Sequence, residues 1–364
     1  MRARAVTPGT LPCALVTPDE LTPEFFTTVL GARVVGVDRV PVGTGQMGAS
    51  FRCRLRYEGD PRSPDLPSTV VAKLPSLDEQ SRLTGTSTGT YEREVHFYRE
   101  LQHTVDVRAP RCYHADSDSV TGGFVLVLED LAPAVQGDQI VGCSIDQARL
   151  ALGELAALQA PRWGDPALDG YEWLARRAPG DADQLQALYQ AVWPGFVARY
   201  EHRIEPAGLA LGERLGGALV AWLDRCREPF TVTHGDYRLD NMMFGTPAGG
   251  HPLAVVDWQT VGHGPGAADL SYFLGASLLV ADRRVHERDL VAHYHADLVR
   301  RGVTGWSPDE CWADYRLYTF AGVVMAVVAS MIVTQTERGD EMFVAMATRH
   351  LRHAMDLDAA ALLA

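Results

Sequence analysis

The spacing of apolar and polar residues changes along the chain and predicts strands first and helices later. From Phe51 to Tyr57, apolar residues alternate with three arginines. A period of two is typical of a half-exposed strand. Three stretches rich in β-branched and other apolar residues predict further strands over Val34–Val42, Ser68–Leu74 and Phe124–Leu128.

Helical patterns are short in the first third and dominate afterwards. Thr22 and Pro23 have the residue types of a helix N-cap and first turn, and Gly31 follows where the helix would end. A second helix is predicted over Tyr91–Leu101. Ser144 begins a third, with Gln147 in the capping-box position. Helices continue from there, apart from a β interlude at 231–258.

These patterns predict an α+β chain with two lobes. The first, residues 1–131, combines a small antiparallel β-sheet with one key helix. The second, residues 132–364, is larger and mainly helical. No internal repeat or low-complexity tract interrupts the sequence.

A glycine-rich segment lies between the first two predicted strands. Gly43, Gly45 and Gly48 have G-x-G-x-x-G spacing, which on its own is weak evidence for a nucleotide site. A dinucleotide-binding fold needs a helix directly after these glycines, whereas a strand follows here. The segment therefore predicts a hairpin whose turn covers phosphate groups through its backbone amides.

The chain contains 33 Lys and Arg residues, and a single one of them, Lys73, is a lysine. It lies mid-strand among apolar residues, where an unpaired buried ammonium would be costly. Either Lys73 faces water at a sheet edge, or it faces inward, binds phosphate and is held by a carboxylate. Glu94 on the next helix is the candidate partner, and Glu92 is its competitor.

The strongest chemical signal is a loop and hairpin in the second half of the chain. His234-Gly-Asp236 is followed by Asn241, and Asp257 comes sixteen residues later, after a short apolar strand. A turn over residues 245–252 would bring Asp257 back beside Asn241. These two side chains offer oxygen ligands for Mg²⁺, and Asp236 can accept the proton of an attacking hydroxyl. A loop Asp and Asn can also do no more than shape a turn.

This order of motifs resembles the superfamily of aminoglycoside phosphotransferases, choline kinases and ecdysteroid kinase-like proteins, which have a protein-kinase-like fold. The resemblance covers roughly residues 34–275 and rests on H-G-D-x-x-x-x-N, on D-W, and on the segment Pro265–Leu274 that contains Asp269. Gln159 stands where the family often has His, so we assign it no chemistry. The D-W in place of D-F-G argues against a protein kinase.

The resemblance implies a role for each of these residues. Asp236 would be the catalytic base, and Asn241 and Asp257 would hold Mg²⁺. Lys73, steadied by Glu94, would bind the phosphates of ATP beneath the glycine turn. The backbone from Glu129 to Leu131 would be a hinge that meets adenine. His234 and Asp269 would brace the catalytic loop.

The implied function is ATP- and Mg²⁺-dependent transfer of a phosphoryl group to a hydroxyl of a small molecule. An aminoglycoside-like compound, an amino alcohol, a sugar and a steroid-like alcohol all remain open as acceptors. The alternative is a catalytically silent nucleotide-binding protein of the same fold.

Composition limits the partners and the location. The formal net charge is −13 and no Lys/Arg-rich run occurs, so we expect no nucleic-acid partner. The longest apolar run, 321–333, is too short to cross a bilayer, and we expect no membrane partner. Six scattered cysteines without a C-x-x-C motif suggest reduced thiols in the cytoplasm. The oligomeric state stays open.

Overall fold

The structure is a computed structural model that describes residues 15–43, 48–59, 66–174, 178, 180–226 and 228–363. The described residues form two compact units. The first runs to Glu100 and includes Pro110–Leu131, and the second contains Leu101–Ala109 and everything from Ala132 onward. The sequence prediction placed Leu101–Ala109 in the first lobe. This segment instead packs with the second unit, where the Asp106 N–H donates to the Ala157 carbonyl at 3.0 Å.

The first unit is built on a five-stranded antiparallel sheet in the order β1-β2-β3-β5-β4. Its strands are β1 (Val34–Val42), β2 (Gly48–Tyr57), β3 (Thr69–Pro75), β4 (Cys112–Asp118) and β5 (Gly123–Glu129). The four strands predicted from the sequence are present as β1, β2, β3 and β5, and β4 is an addition. Side chains of β1, β2, β3 and β5 form a continuous core with residues of α1 and of the chain before it: Leu15, Leu21, Phe25, Phe26, Val34, Phe51, Cys53, Leu55, Val70, Ala72, Leu74, Val125 and Val127.

Three helices accompany this sheet: α1 (Pro23–Leu30), α2 (Glu79–Ser87) and α3 (Thr90–His96). The predicted caps of α1 are confirmed, because the Thr22 hydroxyl accepts the Phe25 N–H and Gly31 ends the helix in the left-handed region. The helix predicted over Tyr91–Leu101 is regular only to His96 and continues as a π-helical turn over Phe97–Leu101.

The second unit is mainly helical. Its helices are α4 (Ile145–Gln159), α5 (Asp181–Tyr200), α6 (Pro206–Leu223), α7 (Gly266–Ser277), α8 (Val280–Arg300), α9 (Pro308–Leu317), α10 (Thr319–Ile332) and α11 (Glu337–Asp356). The capping box that begins α4 is confirmed, with Ser144 and Gln147 bonded reciprocally. The central helix is α7, since eleven of its twelve residues are buried.

Two small sheets interrupt the helices and carry the predicted catalytic motifs. One joins β7 (Phe230–Thr233) to β10 (Gly262–Pro265), and the other has the order β6-β8-β9, formed by Val135–Gln136, Met242–Thr246 and Gly249–Val255. The hairpin β8–β9 turns between Thr246 and Gly249, inside the predicted turn. It returns the chain towards the residues that follow His234.

In the part of the chain that the structure describes, one segment, Pro308–Ile332, is long and apolar enough to cross a membrane by length and composition. It consists of α9 and α10, joined at Tyr318. More than half of its most apolar window is buried inside the protein, and α10 packs against α5, α7 and α11. These are the features of a core helix in a globular unit.

Candidate active site

Lys73 and Glu94 form an ion pair inside the first unit. The Lys73 Nζ lies 3.0 Å from Oε1 and 2.8 Å from Oε2 of Glu94. Lys73 is on the central strand β3, opposite Ser50 on one side and Leu126 on the other, so it does not lie at a sheet edge. Its side chain is 13% exposed and that of Glu94 is 1% exposed.

The choice between the two candidate carboxylates follows from the orientation of α3. Tyr91, Glu94 and Val95 are buried on its inner face, whereas Glu92 is partly exposed. Burying a carboxylate and an ammonium together is favourable only with close geometry, and here both carboxylate oxygens are used. Glu94 therefore holds the Lys73 ammonium in a fixed position on the sheet.

The glycine segment lies between two antiparallel strands, as predicted. β1 and β2 pair antiparallel up to Val42 opposite Ser50, and a strand, not a helix, follows. Gly43 follows β1 with φ +76°, and Gly48 begins β2. Gly45 lies outside the described residues.

The predicted hinge follows the end of β5. The Glu129 N–H donates to the Arg111 carbonyl at 2.8 Å, and the Glu129 carboxylate accepts the Arg111 N–H at 3.0 Å. Asp130 forms an ion pair with Arg52 at 2.8 Å. The amide of Glu129 is thus already used, so the amide of Leu131 is the candidate contact for a base.

Asp236 lies in the loop after β7 and its carboxylate accepts three hydrogen bonds. Arg238 Nε donates to Oδ2 at 2.9 Å, and Asn241 Nδ2 donates to the same oxygen at 3.0 Å. The Tyr272 hydroxyl donates to Oδ1 at 2.7 Å. Burial by itself would raise the pKa of Asp236, but the Arg238 charge and these hydrogen bonds hold it below its usual value. Asp236 is therefore an ionised carboxylate in a fixed orientation.

His234 and Asp269 fix the backbone of the loop that carries Asp236. The Asp269 carboxylate accepts the N–H groups of His234 and Gly235 at 2.6 and 3.0 Å. The His234 Nδ1 accepts the Asp236 N–H at 3.3 Å, so its Nε2 carries the proton and donates to the Val256 carbonyl at 3.1 Å. One imidazole thereby links the loop of Asp236 to the chain just before Asp257.

Gly235 is required by this geometry. Its φ is +79°, and a Cβ at this position would lie 2.4 Å from the Thr260 carbonyl oxygen. Any larger residue would therefore meet both a strained backbone and a direct clash with a backbone atom.

Asn241 and Asp257 are neighbours across the β8–β9 hairpin. The Val256 N–H donates to the Asn241 carbonyl at 2.9 Å, which places Asp257 one residue away. The predicted strand ends earlier than expected, at Val255, and Asp257 adopts a left-handed backbone with φ 67°. Such a conformation is uncommon for a residue other than glycine and is found at functional sites.

The side-chain oxygens of Asn241 and Asp257 are ligands of the kind that Mg²⁺ prefers. The Asn241 Nδ2 is directed at Asp236, both its carbonyl and its carboxylate, so the amide oxygen is the atom left for a cation. Within the described part of the chain, no three His, Cys, Asp or Glu side chains cluster as metal ligands. A pair of oxygen ligands suits Mg²⁺, which completes its shell with water and phosphate oxygens.

Three further residues organise the loop and were not predicted from the sequence. Arg238, which contacts Asp236, also donates to Asp240 Oδ2 at 2.8 Å. The Gln139 side chain accepts the Leu239 N–H at 2.9 Å, and the backbone N–H of Gln139 donates to Asp240. Arg238 lies within the H-G-D-x-x-x-x-N motif, so its position was a usable signal. Gln139 comes from a distant segment that nothing local marks, whereas Tyr272 lies within the segment Pro265–Leu274 that carries the resemblance.

Gln159, to which we assign no chemistry, makes three buried hydrogen bonds. Its Nε2 donates to the Gly266 carbonyl at 3.1 Å, its Oε1 accepts the Tyr294 hydroxyl, and its own carbonyl accepts the Thr231 hydroxyl. Gln159 thus holds the start of α7, the helix that carries Asp269 and Tyr272.

Comparison with known proteins gives one family and one fold. A sequence profile described as "Phosphotransferase enzyme family" (APH) matches residues 62–313. A search of curated protein sequences found no match.

Several solved structures are similar to the chain at low sequence identity. The GDP complex of aminoglycoside 2'-phosphotransferase-IIIa has a TM-score of 0.52 and 14% identity, over 87% of this chain and 93% of the other. ADP-bound aminoglycoside phosphotransferase APH(2'')-Ib has a TM-score of 0.51 and 13% identity, over 92% and 97%. A thermostable APH(4)-Ia in complex with ADP and hygromycin B has a TM-score of 0.50 and 12% identity, over 93% and 98%. These similarities show that the α+β fold is of the kinase-like type.

Proposed function

This chain belongs to the phosphotransferase enzyme family, and we propose that it transfers the γ-phosphoryl group of ATP, with Mg²⁺, to a hydroxyl group of a small molecule. The observation that carries the proposal is the state of Asp236. It is ionised, it is held by three donors, and it is joined through Asn241 to the segment of Asp257. A base next to a cation site is the arrangement that phosphoryl transfer to an alcohol needs.

The first unit supplies groups suited to a nucleotide. We assign the Lys73 ammonium to the phosphates, with Glu94 fixing its position. The glycine segment would offer backbone amides to the phosphates, as its sequence predicts, and Leu131 would offer its amide to the base. The similar structures in complex with ADP or GDP support a nucleotide as donor.

In the second unit Asp236 would accept the proton of the attacking hydroxyl. Asn241 and Asp257 would hold Mg²⁺, which neutralises charge on the phosphates. Because the transferred phosphoryl group needs little covalent help, most of the catalysis would come from orientation and electrostatic neutralisation. His234, Asp269 and Arg238 would contribute by keeping Asp236 in place.

The acceptor is a small alcohol whose class has to be identified by experiment. We propose a panel of aminoglycosides, amino alcohols, sugars and sterol-like alcohols, each incubated with the protein, ATP and Mg²⁺. Mass spectrometry would score the gain of one phosphoryl group, and Asp236→Asn would serve as the control. The proposal expects at least one product that the control does not form.

The same panel separates this function from a silent nucleotide-binding protein. A silent protein would bind ATP with Mg²⁺, as measured by calorimetry, and would phosphorylate no alcohol. A product formed equally by wild type and Asp236→Asn would contradict the assignment of the base.

A further inference from the structure

The carboxylate of Asp236 has a limited number of free acceptor positions. A carboxylate has about four lone-pair sites, two on each oxygen. Among the described residues, Arg238 and Asn241 donate to Oδ2 and Tyr272 donates to Oδ1. Both positions on Oδ2 are thus filled, and one position remains on Oδ1.

Tyr272 is held rigidly, so this division between the two oxygens is stable. Its side chain belongs to α7 and is 4% exposed. Its ring stacks on that of His350 from α11, with centroids 5.3 Å apart and an angle of 27° between the planes. Two glycines make room for that imidazole, because a Cβ on Gly275 or Gly322 would lie within 2.7 Å of it.

Tyr272 remains a donor at every physiological pH. Burial and the negative charge of Asp236 raise the pKa of Tyr272 well above its usual value. The hydroxyl therefore keeps its proton and directs it at Oδ1, and it cannot serve as the base itself.

We propose that Tyr272 is a positioning residue that makes Oδ1 of Asp236 the atom that receives the acceptor hydroxyl. This inference rests on the proposed function. Tyr272 occupies one lone pair of Oδ1 and leaves the other, so the acceptor has one direction of approach. Because in-line transfer depends on the angle at which the hydroxyl reaches the phosphoryl group, fixing that direction serves catalysis. Removal of the Tyr272 hydroxyl would leave two positions open and loosen the geometry.

The test compares Tyr272→Phe with Tyr189→Phe. Tyr189 is also buried, and its hydroxyl also donates one hydrogen bond, to the Gly212 carbonyl at 3.0 Å. Both changes remove one buried hydroxyl, and only the first touches Asp236. For Tyr272→Phe we expect kcat to fall roughly 10- to 100-fold, with an unchanged KM for ATP. We also expect the acid limb of the kcat/KM profile to move to higher pH, because a donor to the carboxylate is lost.

A substrate-free measurement accompanies the kinetics. The carboxyl carbon of Asp236, labelled with ¹³C-aspartate and assigned through Asp236→Asn, should titrate at higher pH in Tyr272→Phe than in wild type. An unchanged titration, or equal kinetic effects in Tyr189→Phe, would overturn the positioning role. Failure of the proposed function would appear separately, because the wild type itself would phosphorylate no alcohol. In that case the two variants are compared by hydrolysis of ATP, in which the phosphoryl group passes to water and is measured as released phosphate.

Discussion

The ammonium of Lys73 contacts both carboxylate oxygens of Glu94, at 3.0 and 2.8 Å, on the central strand of the first unit. Lys73 is also the chain's one lysine among 33 Lys and Arg residues. The flat guanidinium of arginine is larger and binds carboxylates in a different geometry. The pair therefore depends on the compact ammonium, not on positive charge alone.

Lys73→Arg should impair the use of nucleotide although it keeps the charge. We expect the KM for ATP to rise roughly tenfold or more, since the guanidinium cannot take both the Glu94 contact and the phosphate position of the ammonium. Steady-state kinetics with varied ATP measure this. The matched control is the reverse exchange on an exposed site of the neighbouring strand, Arg54→Lys, which should behave as wild type. Wild-type KM and kcat in Lys73→Arg would remove the phosphate-binding role.

A labelling experiment uses the single lysine directly. An acyl-phosphate derivative of ATP transfers its acyl group to an amine held close to the bound phosphates. We expect peptide mass spectrometry to find the label on Lys73, and excess ATP should prevent it. Glu94→Gln should lower the labelling rate, because the ammonium loses the carboxylate that holds it. Labelling that ATP does not reduce would argue against a nucleotide at this position.

The sequence predicted the parts of the site that depend on local motifs. The glycine hairpin, the strand of Lys73 and the hairpin that brings Asn241 to Val256 all follow from apolar runs and turn residues within short segments. Long-range relationships were less accessible. The choice of Glu94 over Glu92 required the orientation of α3, and the contact of Tyr272 with Asp236 joins residues 36 positions apart.

The differences in the fold have similar causes. The strand β4 (Cys112–Asp118) is formed of polar and half-buried residues at a sheet edge, so it lacks an apolar alternation. The segment Leu101–Ala109 belongs to the second unit because of pairings such as that of Asp106 with Ala157, which no local pattern shows. In each case local propensity is weak, and tertiary contacts determine the structure that the segment adopts.

Two glycines in helices offer a matched test of packing around His350. A Cβ on Gly322 of α10 would lie 2.0 Å from the His350 ring, whereas one on Gly217 of α6 would meet nothing within 4 Å. We expect Gly322→Ala to lower the free energy of unfolding by about 1–3 kcal/mol through overpacking. Gly217→Ala should raise it by about 0.5–1 kcal/mol, because alanine favours the helix. Chemical denaturation measures both, and equal effects would contradict the packing described for α10.

The buried imidazole of His350 should make stability depend on pH. Burial, followed by the charges of Arg349 and Arg283, lowers its pKa to about 3 from 6.5. Between these values the unfolded chain binds a proton that the folded chain does not, so the free energy of unfolding falls as the pH falls below about 6.5.

His350→Leu should reduce this dependence. The change removes one titrating group and two ring nitrogens that, within the described residues, have no hydrogen-bond partner. We expect the melting temperature to fall less between pH 7 and pH 5 than it does in wild type. His202→Leu, at an exposed histidine, is the control and should keep the wild-type slope. An unchanged slope in His350→Leu would show that other groups cause the dependence.

The most direct test of the central claim is phosphoryl transfer by Asp236→Asn. Loss of the base should lower kcat on the acceptor found in the panel by roughly 10²- to 10⁴-fold. Binding of ATP with Mg²⁺, measured by calorimetry on the same sample, should stay within a few-fold of wild type, because Asn241, Asp257 and Lys73 are intact. Turnover close to wild type would contradict the account, since Asp236 would then not be the group that receives the proton.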